Sequence, residues 1–151
     1  MATISMTGQD TININNRVFA DLADGNCVEL TFPNEIANVK TGKNGNSIYA
    51  FNASGKQCEL KIRLIKGASD DKFLNNLFIN QQSNFAGFVL LNGQFIKKLG
   101  DGKGNVLNDT YIMGGGVFIK GIEAKSNVDG DIDQSVSVYT IRFSNAPRII
   151  G

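Results

Sequence analysis

The chain contains no histidine in 151 residues, and that absence removes Ser-His-Asp triads, Cys-His dyads, the zinc-protease helix and most transition-metal sites. Carboxylate pairs of the glycosidase kind require a cleft between separated strands, and no spacing here marks one. Asp129, Asp131 and Asp133 match the first ligands of a calcium loop, but Gln134 stands where glycine is needed and Thr140 where the bidentate Glu belongs. They read as an acidic turn. Two Gly-Lys segments, Gly42-Lys43-Asn44-Gly45 and Gly100-Asp101-Gly102-Lys103-Gly104, lack the GxxxxGK[ST] order and also read as turns. Cys27 and Cys58 have neither CxxC nor zinc spacing. Their spacing leaves a disulfide undecided, and buried or unpaired thiols are the favoured reading because cysteine is so often interior. The expectation is a protein with no catalytic residues, no cofactor and no metal, and hence not an enzyme.

Composition bounds the rest. The length suits a single domain over residues 1–151, and 42% hydrophobic residues with ten Phe and two Pro are enough for an ordinary core. Fifteen basic and fourteen acidic residues leave a net charge of +1, which does not point to a tightly held polyanion. The signs are unevenly placed. Asp10, Asp21, Asp24, Glu29 and Glu35 face only Arg17 in the first part of the chain, whereas bases dominate residues 40–72. Such asymmetry suits head-to-tail packing of identical subunits. The first ten residues, MATISMTGQD, lack the basic and apolar regions of a signal peptide. No run approaches the ~18 apolar residues of a membrane helix. The Asn52-Ala53-Ser54 and Asn108-Asp109-Thr110 sequons therefore carry no weight.

The elements that would position any functional surface are mostly strands. Alternation at Ile12 and Ile14, at Val18, Ala20 and Leu22, and at Val28, Leu30 and Phe32 predicts half-buried antiparallel strands. The Asp24-Gly25 pair predicts a tight turn within a hairpin over residues 17–32. Pro33 ends that strand, and the polar run that follows predicts a long loop over residues 33–47. Further strands are expected at 48–52, along Cys58, Leu60, Ile62 and Leu64, and at 88–99, 111–125 and 136–143. Gly114-Gly115-Gly116 marks a bulge, a bend or a close backbone approach. Ser69-Asp70-Asp71 predicts a helix start, with Ser69 as cap, and Phe73, Leu74, Leu77 and Phe78 form the stripe that packs it on a sheet until about Gln82.

Beyond this pattern, residues 6–52 carry TGQD, INNRVFADLADG and LTFPNEIANVKTGKNGNSIYAFN in order. GASDDKFLNNL, TYIMGGGVFIKGI and VSVYTIRF follow. In wording and order this resembles the tail tube proteins of contractile-tailed bacteriophages over most of the chain, although the two cysteines are not part of that pattern. The resemblance implies a mainly β (α+β) fold of two packed antiparallel sheets, a β-sandwich or barrel, with one flanking α-helix. It also implies homohexameric rings stacked into a hollow inner tube of the virion, a conduit for double-stranded DNA without tight binding. The subunit would be made in the host bacterial cytoplasm. Its implied partners are other copies of itself, the tail sheath, the tape measure, baseplate and tail terminator proteins, with no membrane.

Physical reasoning supplies the glue: exposed sheet edges invite strand addition, and a ring closes them around an axis. A lumen that lets DNA slide is expected not to be strongly basic. The loop bearing Lys40, Gly42, Lys43, Asn44 and Asn46 is the candidate contact between stacked rings, a solvated loop being the alternative. Lys61 and Arg63 are the candidate sheath-facing pair, a plain exposed strand face being the other reading. Similar tubes occur in pyocins and type VI secretion. A monomeric β-sandwich binding module is the rival from another class, and the absence of Trp and the scatter of Tyr49, Tyr111 and Tyr139 disfavour it.

Overall fold

The computed structural model describes residues 3–8, 10–23, 27–125 and 136–151. Its elements in chain order are β1 (Ser5–Met6), β2 (Thr11–Ile14), β3 (Arg17–Val18), β4 (Val28–Thr31), β5 (Ala37–Thr41) and β6 (Ser47–Phe51). A 3-10 turn (Ala53–Lys56) leads to β7 (Cys58–Ile65) and α1 (Ser69–Ser83), and β8 (Leu91–Gly100), β9 (Val106–Phe118), β10 (Glu123–Lys125), β11 (Val136–Asn145) and β12 (Arg148–Ile150) complete the chain. All described pairings are antiparallel. The fold is mainly β with one helix, as the sequence pattern predicts.

One long sheet runs in the order β3-β2-β8-β9-β11-β7-β4, with β1 beside β8, β10 beside β11 and β12 beside β9. Strands far apart in that order share one core: Ile12 and Ile14 of β2 cluster with Leu60, Ile62 and Leu64 of β7, and with Tyr139, Ile141 and Phe143 of β11. The sheet therefore curls so that its two halves face each other like a sandwich. Its end strands do not pair with one another, and no barrel closes among the described residues. Strand β7 shows the cause most plainly. Cys58, Leu60, Ile62 and Leu64 are fully buried on one face, while Glu59, Lys61 and Arg63 alternate on the other. Both cysteines are free thiols, and burial, reinforced by neighbouring Glu59, pushes the Cys58 thiol up to about 11, so it stays protonated at neutral pH.

Helix α1 lies over this core through the expected stripe. Leu74 is fully buried, and Phe73, Leu77 and Phe78 pack beside it. The Phe78 and Phe118 rings meet edge to face at 5.6 Å. Gln81 adds a polar clamp, donating from Nε2 to the Phe118 carbonyl at 2.8 Å and accepting the Phe118 N–H at 2.8 Å. A buried backbone segment of β9 thus finds its partners in a side chain rather than in another strand. The helix does not start as its sequence suggests, because Ala68 occupies the cap position and makes no side-chain cap bond. The carboxylates of the first turn are used instead. Asp71 accepts from the Gly67 N–H at 2.9 Å, from Ser137 at 3.1 Å and from the Tyr139 hydroxyl at 2.5 Å.

The expected hairpin over residues 17–32 is replaced by two other pairings. Strand β3 pairs with β2 through a turn at Asn15 and Asn16, whose φ angles of 52° and 67° are tolerated by asparagine. Strand β4 pairs with β7. Leu22 bridges to Leu64, and the Ala23 N–H donates to the Arg63 carbonyl, whose own N–H donates to Cys27. The segments on either side of residues 24–26 therefore lie along the same edge of β7, where Leu22, Val28 and Leu30 reach the core. Paired with each other, they would not. The Asp24-Gly25 turn and the Asp129, Asp131, Asp133 turn lie outside the described residues.

The expected loop over residues 33–47 also differs, since it contains β5, and only 42–46 form the turn between β5 and β6. The expected strand over 111–125 begins earlier and divides into β9 and β10, and β12 adds a strand that alternation did not mark. Asp109 holds β12 in place, accepting from Arg148 at 2.7 and 2.8 Å. The glycine triplet is a close approach within β9. A Cβ on Gly116 would lie 2.5 Å from the Phe143 ring, and Gly115 has φ of +67°.

Candidate assembly interface

Strands β5 and β6 form a separate two-stranded sheet and pair only with each other. Their composition explains the hairpin: Val39, Thr41, Ile48, Tyr49 and Phe51 favour extended backbone, and the Gly42 N–H donates to the Asn46 carbonyl at 2.8 Å to close the turn. The Thr41 and Ser47 hydroxyls bond across it at 3.0 Å. The register places Ala37 opposite Phe51, Val39 opposite Tyr49 and Thr41 opposite Ser47 on one face. Asn38, Lys40, Ile48 and Ala50 share the other.

Every residue of both strands is exposed. Val39, Tyr49 and Phe51 show 60%, 76% and 75% of their surface. A two-stranded hairpin that buries nothing is at best marginally stable in water, so its apolar face is a surface that gains from being covered. The chain as a whole supports this reading. Its accessible surface is 9693 Å², about 2,000 Å² above the roughly 7,500 Å² that monomer scaling gives for 16.3 kDa. That surplus is comparable to a standard protein interface of about 1,600 Å².

The arm is anchored at its base. The Asn52 N–H donates to the Ile36 carbonyl at 2.9 Å, and the Asn34 amide donates to the Ser54 carbonyl at 3.1 Å and to Gln57 at 3.2 Å. Gly55 lies so close that an added Cβ would sit 2.6 Å from the Ile36 Cα and 2.8 Å from the Glu35 carbonyl oxygen. Backbone must move to admit it. Gly55→Ala is expected to lower stability by about 1–3 kcal/mol through this overpacking, while re-aiming the arm. Sedimentation and thermal melting should show assembly falling more than the melting point does, and unchanged assembly would contradict the anchoring role.

Of the residues singled out from sequence, Lys40 lies on β5 beside Ile48, and Gly42, Lys43, Asn44 and Asn46 form the exposed turn at the arm's tip. They are together. Lys61 and Arg63 lie elsewhere, half-buried on the outward face of β7, an interior strand between β4 and β11. Lys61 stands opposite Glu29, and Arg142 pairs with Glu59 at 3.0 Å on the same surface. Sequence reasoning missed Val39, Tyr49 and Phe51. Their signal was the unbroken apolar run Ile48-Tyr49-Ala50-Phe51, which predicts a strand covered on both faces, although the chain supplies no cover for it.

Among the described residues no group of three or more acidic, Cys or His side chains could hold a metal ion, and no helix is long and apolar enough to cross a membrane. No protein-family model matches the chain, and no curated protein matches it.

Proposed function

We propose that this chain is the structural subunit of a bacteriophage tail tube, assembling with copies of itself into stacked hexameric rings and catalysing no reaction. The observation that carries the reading is the β5–β6 arm, an ordered hairpin whose apolar face finds no cover within its own chain. The sheet adds a second kind of unsatisfied surface. The outward edges of β3 and β4 pair with no described strand, and strand addition between neighbours would join sheets around a ring. A ring closed this way is heterologous, with unlike surfaces of successive copies meeting until rotation brings the last to the first. DNA would pass through the resulting lumen without tight binding, as the near-neutral charge balance favours. The sheath, tape measure, baseplate and terminator proteins of a tail would be its further partners.

Size-exclusion chromatography with negative-stain microscopy of concentrated protein tests the proposal. Hollow rings or tubes are the expected result. A lone 16.3 kDa particle under all conditions, including with tail partners present, rules it out.

A further inference from the structure

A second uncovered apolar surface lies at the far end of α1. Where the helix gives way to the segment leading into β8, a groove of about 380 Å³ is lined by Asn15, Leu77, Asn80, Asn84, Phe88 and Val89, together with Ser83 and Gly87. Phe85 and Leu90 are exposed in the same segment, and Val89 shows 82% of its surface. Local bonds fix the groove's shape: Asn84 Oδ1 accepts the Gly87 N–H at 3.1 Å, the Phe88 N–H donates to the Phe85 carbonyl at 3.3 Å, and Asn15 Oδ1 accepts the Asn92 N–H at 3.2 Å. No charged side chain lines it. Its walls are apolar and its rim is made of amides.

We propose that this groove is the acceptor for the β5–β6 arm of a second copy, with the Tyr49 ring entering it and the Tyr49 hydroxyl meeting the amide rim. The inference deepens the tube reading and rests on its premise of self-assembly. Three observations lead to it. First, the arm's apolar face, formed by Ala37, Val39, Thr41, Ser47, Tyr49 and Phe51, carries no charge, and neither does the groove. Neutral surfaces can meet without the cost of desolvating a charge. Second, tyrosine suits an apolar slot with polar lips, because its ring is buried favourably while its hydroxyl still needs a hydrogen-bonding partner. Third, arm and groove are different surfaces of one chain, so each copy satisfies both only within a heterologous ring or stack. The surplus of about 2,000 Å² over monomer scaling is large enough for such a contact.

The test places p-benzoylphenylalanine at position 49 of the full-length chain, irradiates the assembled material, and maps cross-links between isotopically distinct copies. Cross-links to the lining residues from Leu77 to Val89 are the expected result. Cross-links to another surface of the second copy would overturn the groove assignment while leaving self-assembly intact. A wild-type chain that stays single would overturn both. Val89→Glu supplies an independent arm. The exposed site should tolerate the change in the folded subunit, and assembly should weaken by a factor of about 100 as a charge enters a neutral contact. Wild-type assembly in that variant would also overturn the proposal.

Discussion

Removing residues 42–46 is expected to yield a chain that folds with nearly its normal melting point and does not polymerise. The geometry makes this a clean separation. Thr41 and Ser47 are cross-strand partners, so joining them directly makes opposing residues consecutive and leaves no chain to turn. Strands β5 and β6 could then no longer pair. The body would notice little, because the arm pairs only with itself and contributes no residue to the buried core. Assembly would lose an apolar face presenting Val39, Tyr49 and Phe51. Aromatic anchors buried at protein interfaces typically contribute about 2–4 kcal/mol each, so losing this face should weaken association by several orders of magnitude. Circular dichroism melting and negative-stain microscopy check both halves, and normal tubes from the deletion would refute the arm's role. Substituting Lys40 and Lys43 alone should do less, since exposed charges contribute mainly to rate and salt dependence.

The same arm shows how far the sequence could be read. The strand class, the helix and the turn at 42–46 follow from local rules, because period-two alternation along β7 and the apolar stripe on α1 each report a single neighbour across one face. Pairing partners are a different matter. Leu22, Val28 and Leu30 alternate as a hairpin would, yet they line the edge of β7, and nothing local distinguishes the two arrangements. Asn15 and Asn16 provide a turn that glycine usually signals. The assembly surface was legible in part. Its polar tip was visible as a run of Lys, Gly and Asn, but Tyr49 and Phe51 read as interior residues. That reading has physical sense under the proposed function, where they become interior in the polymer. A chain selected to be buried by its own copies carries core-like strands on its outside, and single-chain burial rules assign them to the wrong molecule.

Asp70→Ala is expected to produce the largest loss of stability of any single substitution considered, about 3 kcal/mol. The carboxylate is only 3% exposed and joins the first turn of α1 to the chain after β3. One oxygen accepts from Arg17 Nε at 3.0 Å, and the other accepts the Ala20 and Asp21 N–H groups at 2.8 Å each. Phe19, buried between these contacts, packs edge to face on Phe73 at 6.1 Å. Alanine would leave two backbone donors without acceptors and free the segment that seats Phe19. Arg17→Gln should cost less, because the guanidinium is partly exposed and also lies 5.1 Å above the Phe73 ring. Burial alone would raise the Asp70 carboxyl, but the Asp21 and Ala20 amides and the Arg17 guanidinium outweigh it and hold the group below the usual carboxylate range. Its folded value is thus lower than its unfolded one. The stability it contributes is complete above the unfolded value of about 3.9 and disappears as pH falls through the folded value. Wild-type unfolding free energy should therefore decline in acid more steeply than that of Asp70→Ala, with the two curves converging at the lowest pH. Denaturant titrations across pH 2–7 measure this directly, and parallel curves, or a loss below about 1 kcal/mol at neutral pH, would show that Asp70 does not hold β3 to the helix.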